Sequence, residues 1–239
     1  MASRVPIRQD SDLFGILKDK PLFRGIPEEG IRHCITCSGA ECMQYEKNEM
    51  IFTEGDTPLR LPVLVSGSVR LGRNSFDGRR SILADYDAPG EVFGYELLFL
   101  ENHHYGIFAQ AQARTRILHM PKKFLTQSCE RNCGYHSQLI SNMMLIMAEK
   151  SYGLNSRLEI MSCTTLRQKI AKMLLLNCGS EMTAPLVMGR EEMADFLAVT
   201  RPSLSRELMR MQEEGLILID GRRIRIGDPV RLEEVLNQG

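Results

Sequence analysis

Tryptophan is absent, and so is an excess of either charge: 30 basic side chains face 30 acidic ones in 239 residues. That balance removes whole-chain charge as a pointer to nucleic acid, so such a partner has to be sought in local placement. No apolar run comes near the ~20 residues a membrane-spanning helix needs; stretches such as Met143–Ala148 are far shorter. Met1–Asp10 carries charges but no apolar core segment, which argues against a secretory leader and for a cytoplasmic protein. Seven cysteines, an odd number without an export signal, suggest reduced thiols rather than a disulfide framework. A Walker loop, a nucleophile–base pair and histidines at metal-ligand spacing are also missing, so no enzyme is expected.

What is present is enough apolar sequence, 43%, to build a buried core. Residues 28–39 suit a short helix. From Ala40 to Pro121 short apolar runs recur: Met50–Thr53, Leu61–Val65, Ser68–Leu71, Arg80–Ala84, Glu91–Phe93, Ile107–Ala113 and Thr115–Met120. Turn formers separate them, among them Glu54-Gly55-Asp56, Ser66-Gly67, Asp77-Gly78 and Ala88-Pro89-Gly90. Many short strands at this spacing predict a β-sandwich or jelly roll.

A helical pattern then runs from Lys122 to Met161, with a break expected near Cys129–Gly134. Ser137, Met144, Ser151 and Leu158 fall at one core position of a heptad, and Ile140, Met147, Leu154 and Met161 at the other. The register fits a two-stranded coiled coil, and it also fits one helix packed on its own domain. Leu166–Asn177 predicts a further helix, with Gly179 placed to end it. The expected division is 1–128, 129–162 and 163–239.

Met188–Ile226 predicts a winged helix-turn-helix. A first helix spans Arg190–Leu197, with Glu191 and Glu192 suiting the positive end of its dipole and Ala194 small enough for a close crossing. Ala198-Val199-Thr200 makes the turn, Thr200 serves as N-cap, and Pro202 sits in the first turn of a second helix, Arg201–Glu213. Leu204, Leu208 and Met211 form its buried stripe. Arg201, Ser203, Ser205, Arg206 and Arg210 occupy the other face, which suits either major-groove reading or plain solvation. Leu216–Ile219, Asp220-Gly221 and Arg222–Ile226 read as a hairpin whose return strand alternates arginine with isoleucine, a basic wing for phosphates.

Four segments carry a family resemblance: PLFRGIPEEG at Pro21–Gly30, SGSVRL at Ser66–Leu71, PGEVFGYELLF at Pro89–Phe99, and Arg190–Met211. The chain resembles the cyclic-AMP receptor/fumarate-nitrate regulator (CRP/FNR) superfamily of bacterial transcription factors from about Pro21 to Leu232. The resemblance implies an α+β architecture: a cyclic-nucleotide-binding-like β jelly roll, a long dimerisation helix and a C-terminal winged helix-turn-helix. It further implies a homodimer on a pseudo-palindromic DNA operator, RNA polymerase as a partner if the protein activates, and a small-molecule effector in the barrel. The resemblance implies Arg206 as the principal base reader and DNA contacts at Arg201 and Ser205; Thr200, Ser203 and Arg210 join them as candidate contacts from their place at the start and on the open face of the second helix. Pro202 departs from the pattern, because many members carry there a glutamate able to accept from cytosine.

The resemblance places the effector near Gly94, Glu96, Leu97, His104, Tyr105 and, on the long helix, Leu154 and Asn155. Asn155 suits either an effector contact or the flank of a coiled coil. Cyclic-AMP-binding members place an arginine and a serine or threonine where His104 and Tyr105 fall, and no arginine lies between Pro89 and Ala113. A buried phosphate without a cation is costly, so cyclic AMP is not the expected effector. His103 and His104 raise a metal or haem site against plain loop histidines. Cys34, Cys37 and Cys42 with Cys129 or Cys133 raise an iron–sulfur or thiol-redox site against ordinary packing.

Overall fold

The run Leu61–Val65 is apolar at every position because its strand is buried on both faces. In the computed structural model this is the fourth of eight N-terminal strands: β1 (Ser3–Val5), β2 (Glu41–Tyr45), β3 (Met50–Phe52), β4 (Arg60–Ser66), β5 (Val69–Asn74), β6 (Arg80–Tyr86), β7 (Phe108–Ala111) and β8 (Thr115–Pro121). The structure describes residues 2–5, 12–75, 79–126, 134–178, 183–185, 189–221 and 223–237. They divide into two compact units, Met1–Met147 and Ala148–Gly239.

In the first unit the strands form two antiparallel four-stranded sheets, ordered β1-β2-β8-β4 and β3-β7-β5-β6. Tyr45, Phe52, Leu64, Val69, Leu71, Phe93, Tyr105 and Ile117 make up the core of the sandwich. Leu61, Val63, Val65, Leu118 and Met120 turn the other way, onto helices α1 (Leu13–Leu17), α2 (Glu28–Ser38) and the start of α4 (Gly134–Ser162). β4 tolerates Pro62 because it is an edge strand, where a missing N–H breaks no ladder. Gly90–Phe93 lies along that edge through Leu64 N–H to Glu91 O and Gly90 N–H to Leu64 O. This segment, expected as a strand, makes one isolated bridge, Val63–Val92. At the β4–β5 turn Gly67 has φ +91°, and a Cβ there would meet the Arg114 carbonyl oxygen at 2.6 Å.

The long helical pattern resolves into α3 (Lys122–Thr126) and α4, while the expected break and Cys129, Cys133 lie outside the described residues. The front of α4 is anchored by Asn142, which donates to the carbonyls of Leu22 and Arg24 at 3.0 and 2.8 Å. Leu139 and Met143 are buried beside it. The heptad residues form a different, open face: Met144 is 66% exposed, Leu154 55% and Leu158 68%.

In the second unit Thr165 caps α5 (Leu166–Asn177) with a full capping box to Gln168. Gly179, the expected end signal of that helix, lies outside the described residues. α6 (Arg190–Phe196) and α7 (Arg201–Glu213) follow, then the hairpin β10 (Ile217–Asp220) and β11 (Arg223–Ile226), and finally α8 (Pro229–Asn237). A strand that the sequence pattern does not announce, β9 (Thr183–Pro185), pairs with β11. Asp220, expected in the hairpin turn, is instead the last residue of β10 and pairs with Arg223.

Candidate nucleic-acid interface and sensor cleft

The α6–α7 corner is closed by backbone chemistry. Ala198 N–H donates to Asp195 O at 3.1 Å and Val199 N–H to Ala194 O at 2.9 Å. This is the Schellman arrangement, which needs a left-handed residue at its centre. Ala198 supplies it with φ +55°. The same arrangement ends α7, but with a glycine, Gly215, at φ +74°. A left-handed non-glycine costs about 1–2 kcal/mol, part of which returns because alanine has fewer unfolded conformations. Ala198→Gly is therefore expected to stabilise the unit by about 0.5–1 kcal/mol, read as a rise in melting temperature.

α7 buries Leu204, Leu208 and Met211, as its spacing requires. Thr200 caps it, accepting from Ser203 N–H at 3.4 Å, and the two hydroxyls lie 2.9 Å apart. Both hydroxyls are thus partly committed to the helix start. Arg201, Arg206 and Arg210 are exposed, and Ser203 and Ser205 half-buried. Arg206 donates through Nε only to the carbonyl of Pro202, its own helix, at 3.3 Å. Pro202, Arg206 and Arg210 follow one another at intervals of four, so they share one helix row. Arg210 lies 3.8 Å from Glu207 and Arg201 3.9 Å from Glu191, both loose pairs. In the wing Ile224 and Ile226 point inward and Arg223 and Arg225 outward; Arg222 lies outside the described residues. Asp220 sits opposite Arg223 and tempers the basic face.

One ion-pair cluster here was not visible in the sequence. Arg167 on α5 donates through Nε to Glu207 at 2.6 Å and through both Nη atoms to Glu214 at 2.7 Å each. It fixes the outer end of α7 to α5 and cancels two acids on the helix that carries Arg206. The guanidinium beside Glu214 holds that carboxyl below its ordinary 4.5. A carboxylate with a lowered folded pKa stabilises above its unfolded pKa, and the gain is lost as pH falls through the folded value. Arg167→Met is accordingly expected to destabilise this unit by about 1–2 kcal/mol at pH 7, the range for half-exposed charge-assisted bonds. In melting curves from pH 7 to pH 3 the gap between variant and wild type should narrow below about pH 4.5.

In the first unit Gly94 and Tyr105, two of the predicted effector residues, come together: a Cβ on Gly94 would lie 3.5 Å from the Tyr105 ring. Gly94 has φ +62°, and a Cβ on it would meet the Phe52 ring at 2.7 Å. Glu96 is exposed and Leu97 half-buried. His104 is exposed, with Nδ1 3.2 Å from the Thr57 hydroxyl. Tyr105 is 5% exposed and stacks on Phe52 at 3.9 Å. In the second unit Asn155 is exposed on α4. A cleft of about 470 Å³ does open between the sheets, and of the predicted residues Tyr105 lines it. Its other walls come from β2, β3, β8, the start of β4 and the loop before it.

Cys34 and Cys42 are buried in the core and Cys37 is exposed. Among the described residues no three of His, Cys, Asp and Glu gather in a metal-binding group. Among them, too, no helix is long and apolar enough to cross a membrane.

Comparison with known proteins agrees with this geometry. Residues 42–132 match the cyclic nucleotide-binding domain family and residues 168–235 the Crp-like helix-turn-helix domain family. The chain is 25% identical over 219 residues to the cyclic AMP receptor protein of Thermus thermophilus, covering 92% of this chain and 98% of that one. It is 26% identical over 193 residues to the nitrogen fixation regulation protein FixK of Azorhizobium caulinodans, covering 77% and 74%. The crystal structure of the Thermus thermophilus catabolite activator protein aligns with a TM-score of 0.51 at 25% identity, covering 91% of this chain and 99% of that one. A nucleotide-binding-type sandwich followed by a Crp-like helix-turn-helix makes this chain a DNA-binding transcription regulator of the CRP/FNR superfamily.

Proposed function

We propose that the protein works in the cytoplasm as a homodimer joined along α4, with each α7 in one major groove of a pseudo-palindromic operator. Arg206 reads a base, Arg201, Ser205 and Arg210 add contacts, and Thr200 and Ser203 mainly hold the helix start. Arg223 and Arg225 of the wing take phosphates. Functionally the chain divides at 1–128, 129–162 and 163–239, into sensor, dimer helix and DNA-binding segments. The observation that carries this reading is the exposed arginine row on a helix whose opposite stripe is fully buried. Where the protein activates, RNA polymerase is its further partner.

The sensor controls this output through an effector other than cyclic AMP. The support is chemical: no arginine lies between Pro89 and Ala113, and Gly94 and Tyr105 pack on Phe52. Effector occupancy would bias α4 and the Cys163–Thr165 break, shifting a two-state equilibrium of the recognition helices. A mobility-shift assay on the gene's own upstream region tests the DNA reading. Binding no tighter than to unrelated DNA of equal length would reject it.

A further inference from the structure

We propose that the cleft between the β2–β8 face and β3 is the effector site, and that it takes an uncharged, largely apolar small molecule with one hydrogen-bonding head group. The inference rests on the reading of the chain as an effector-controlled regulator. At about 470 Å³ the cleft has the size of a small-molecule site. Its floor is the stacked pair Phe52 and Tyr105, at an interplanar angle of 11°. Met43, Ile51 and Pro62 add apolar wall, and Leu59, 66% exposed, stands at the mouth.

The head-group anchor is a side-chain pair at the inner wall. Tyr45 Oη lies 2.9 Å from His119 Nε2. Burial drops the His119 pKa to about 4 and raises that of Tyr45 to about 12, so both are neutral at pH 7. A neutral hydroxyl–imidazole pair offers a donor and an acceptor to a ligand hydroxyl or carbonyl, and no charge to a phosphate. The ionic groups of the cleft are already compensated. Glu41 pairs with Arg60 and, at 2.9 Å, with Arg4. The Asp56 carboxylate accepts from the Thr53 N–H at 2.7 Å and from its hydroxyl at 3.2 Å. An anionic ligand would have to break the Arg60–Glu41 pair to find a cation, whereas a neutral one leaves every pair intact.

Prodan, an uncharged naphthyl ketone with a polarity-sensitive emission, is a suitable probe for the full-length protein. The expected result is saturable, blue-shifted binding that millimolar cyclic AMP does not displace. Leu59→Arg, at an exposed position, should weaken it about three- to tenfold by removing apolar contact at the mouth and setting a second guanidinium beside Arg60. Tyr45→Phe should weaken it about three- to tenfold, the loss of one hydrogen bond. No saturable binding, displacement by cyclic AMP, or full affinity in Leu59→Arg would each overturn the site; full affinity in Tyr45→Phe would overturn the head-group assignment. Operator shifts on the same wild-type preparation separate the two ideas. Intact operator binding without probe binding rejects the cleft alone, and absent operator binding rejects the regulator reading.

Discussion

Arg206→Ala is expected to remove operator discrimination while leaving the fold and non-specific DNA binding in place. A bidentate arginine–guanine contact is worth about 1–3 kcal/mol of discrimination, and a symmetric dimer makes it twice. The combined loss of about 2–6 kcal/mol corresponds to roughly thirtyfold to ten-thousandfold in specific affinity. The fold should survive because Arg206 is exposed and its Nε reaches only its own helix, at the Pro202 carbonyl. Competition mobility shifts with operator and scrambled DNA read the effect. Arg223→Ala in the wing supplies the contrast: taking a phosphate-binding cation from both subunits weakens binding to all sequences alike and lowers the salt slope by about two. If Arg206→Ala kept full discrimination, α7 would not be reading bases through this residue. Pro202 adds a second expectation to the same assay, since proline offers no acceptor to a cytosine amino group.

The parts of this molecule that were legible in sequence are those where one local rule acts. α7 runs Arg201–Glu213 as expected because a cap at Thr200, a glycine at Gly215 and a single buried stripe all mark it. α5 is fixed in the same way by the Thr165–Gln168 box. β2 is not legible in sequence because two cores share it: Cys42 faces the helices while Tyr45 faces the sandwich, so apolar side chains fall on both faces. Glu91–Phe93 has the pattern of a strand, yet its apolar residues cover an edge instead of extending a ladder. For the sensor, sequence showed which cation is missing but not where a ligand would fit. The cleft draws Tyr45, Phe52, Arg60, Tyr105 and His119 from five separate segments, and no spacing links them. Arg167 was invisible for a similar reason, since its carboxylate partners lie 40 and 47 residues away.

Leu158→Glu is expected to convert a dimer into monomers and to lose operator binding with it. The long helix carries two apolar faces, which is why the segment Leu139–Met147 is apolar almost throughout. One face, with Leu139 and Met143, is already buried within the first unit. The heptad face is open at Met144, Leu154 and Leu158, and a second copy of the helix is the partner that a heptad seam specifies. Removing one leucine from each helix of such a seam forfeits about 3–6 kcal/mol of apolar burial, before the cost of placing two carboxylates side by side. That is roughly a hundredfold to ten-thousandfold in dimer dissociation, which sedimentation at micromolar protein resolves. Leu158 is 68% exposed, so circular dichroism of the variant should match the wild type. Operator affinity should fall in step, because two half-sites are then met by two independent subunits and the gain from tethering disappears. A variant that stayed dimeric would move the interface to another surface and leave the open stripe of α4 without an explanation.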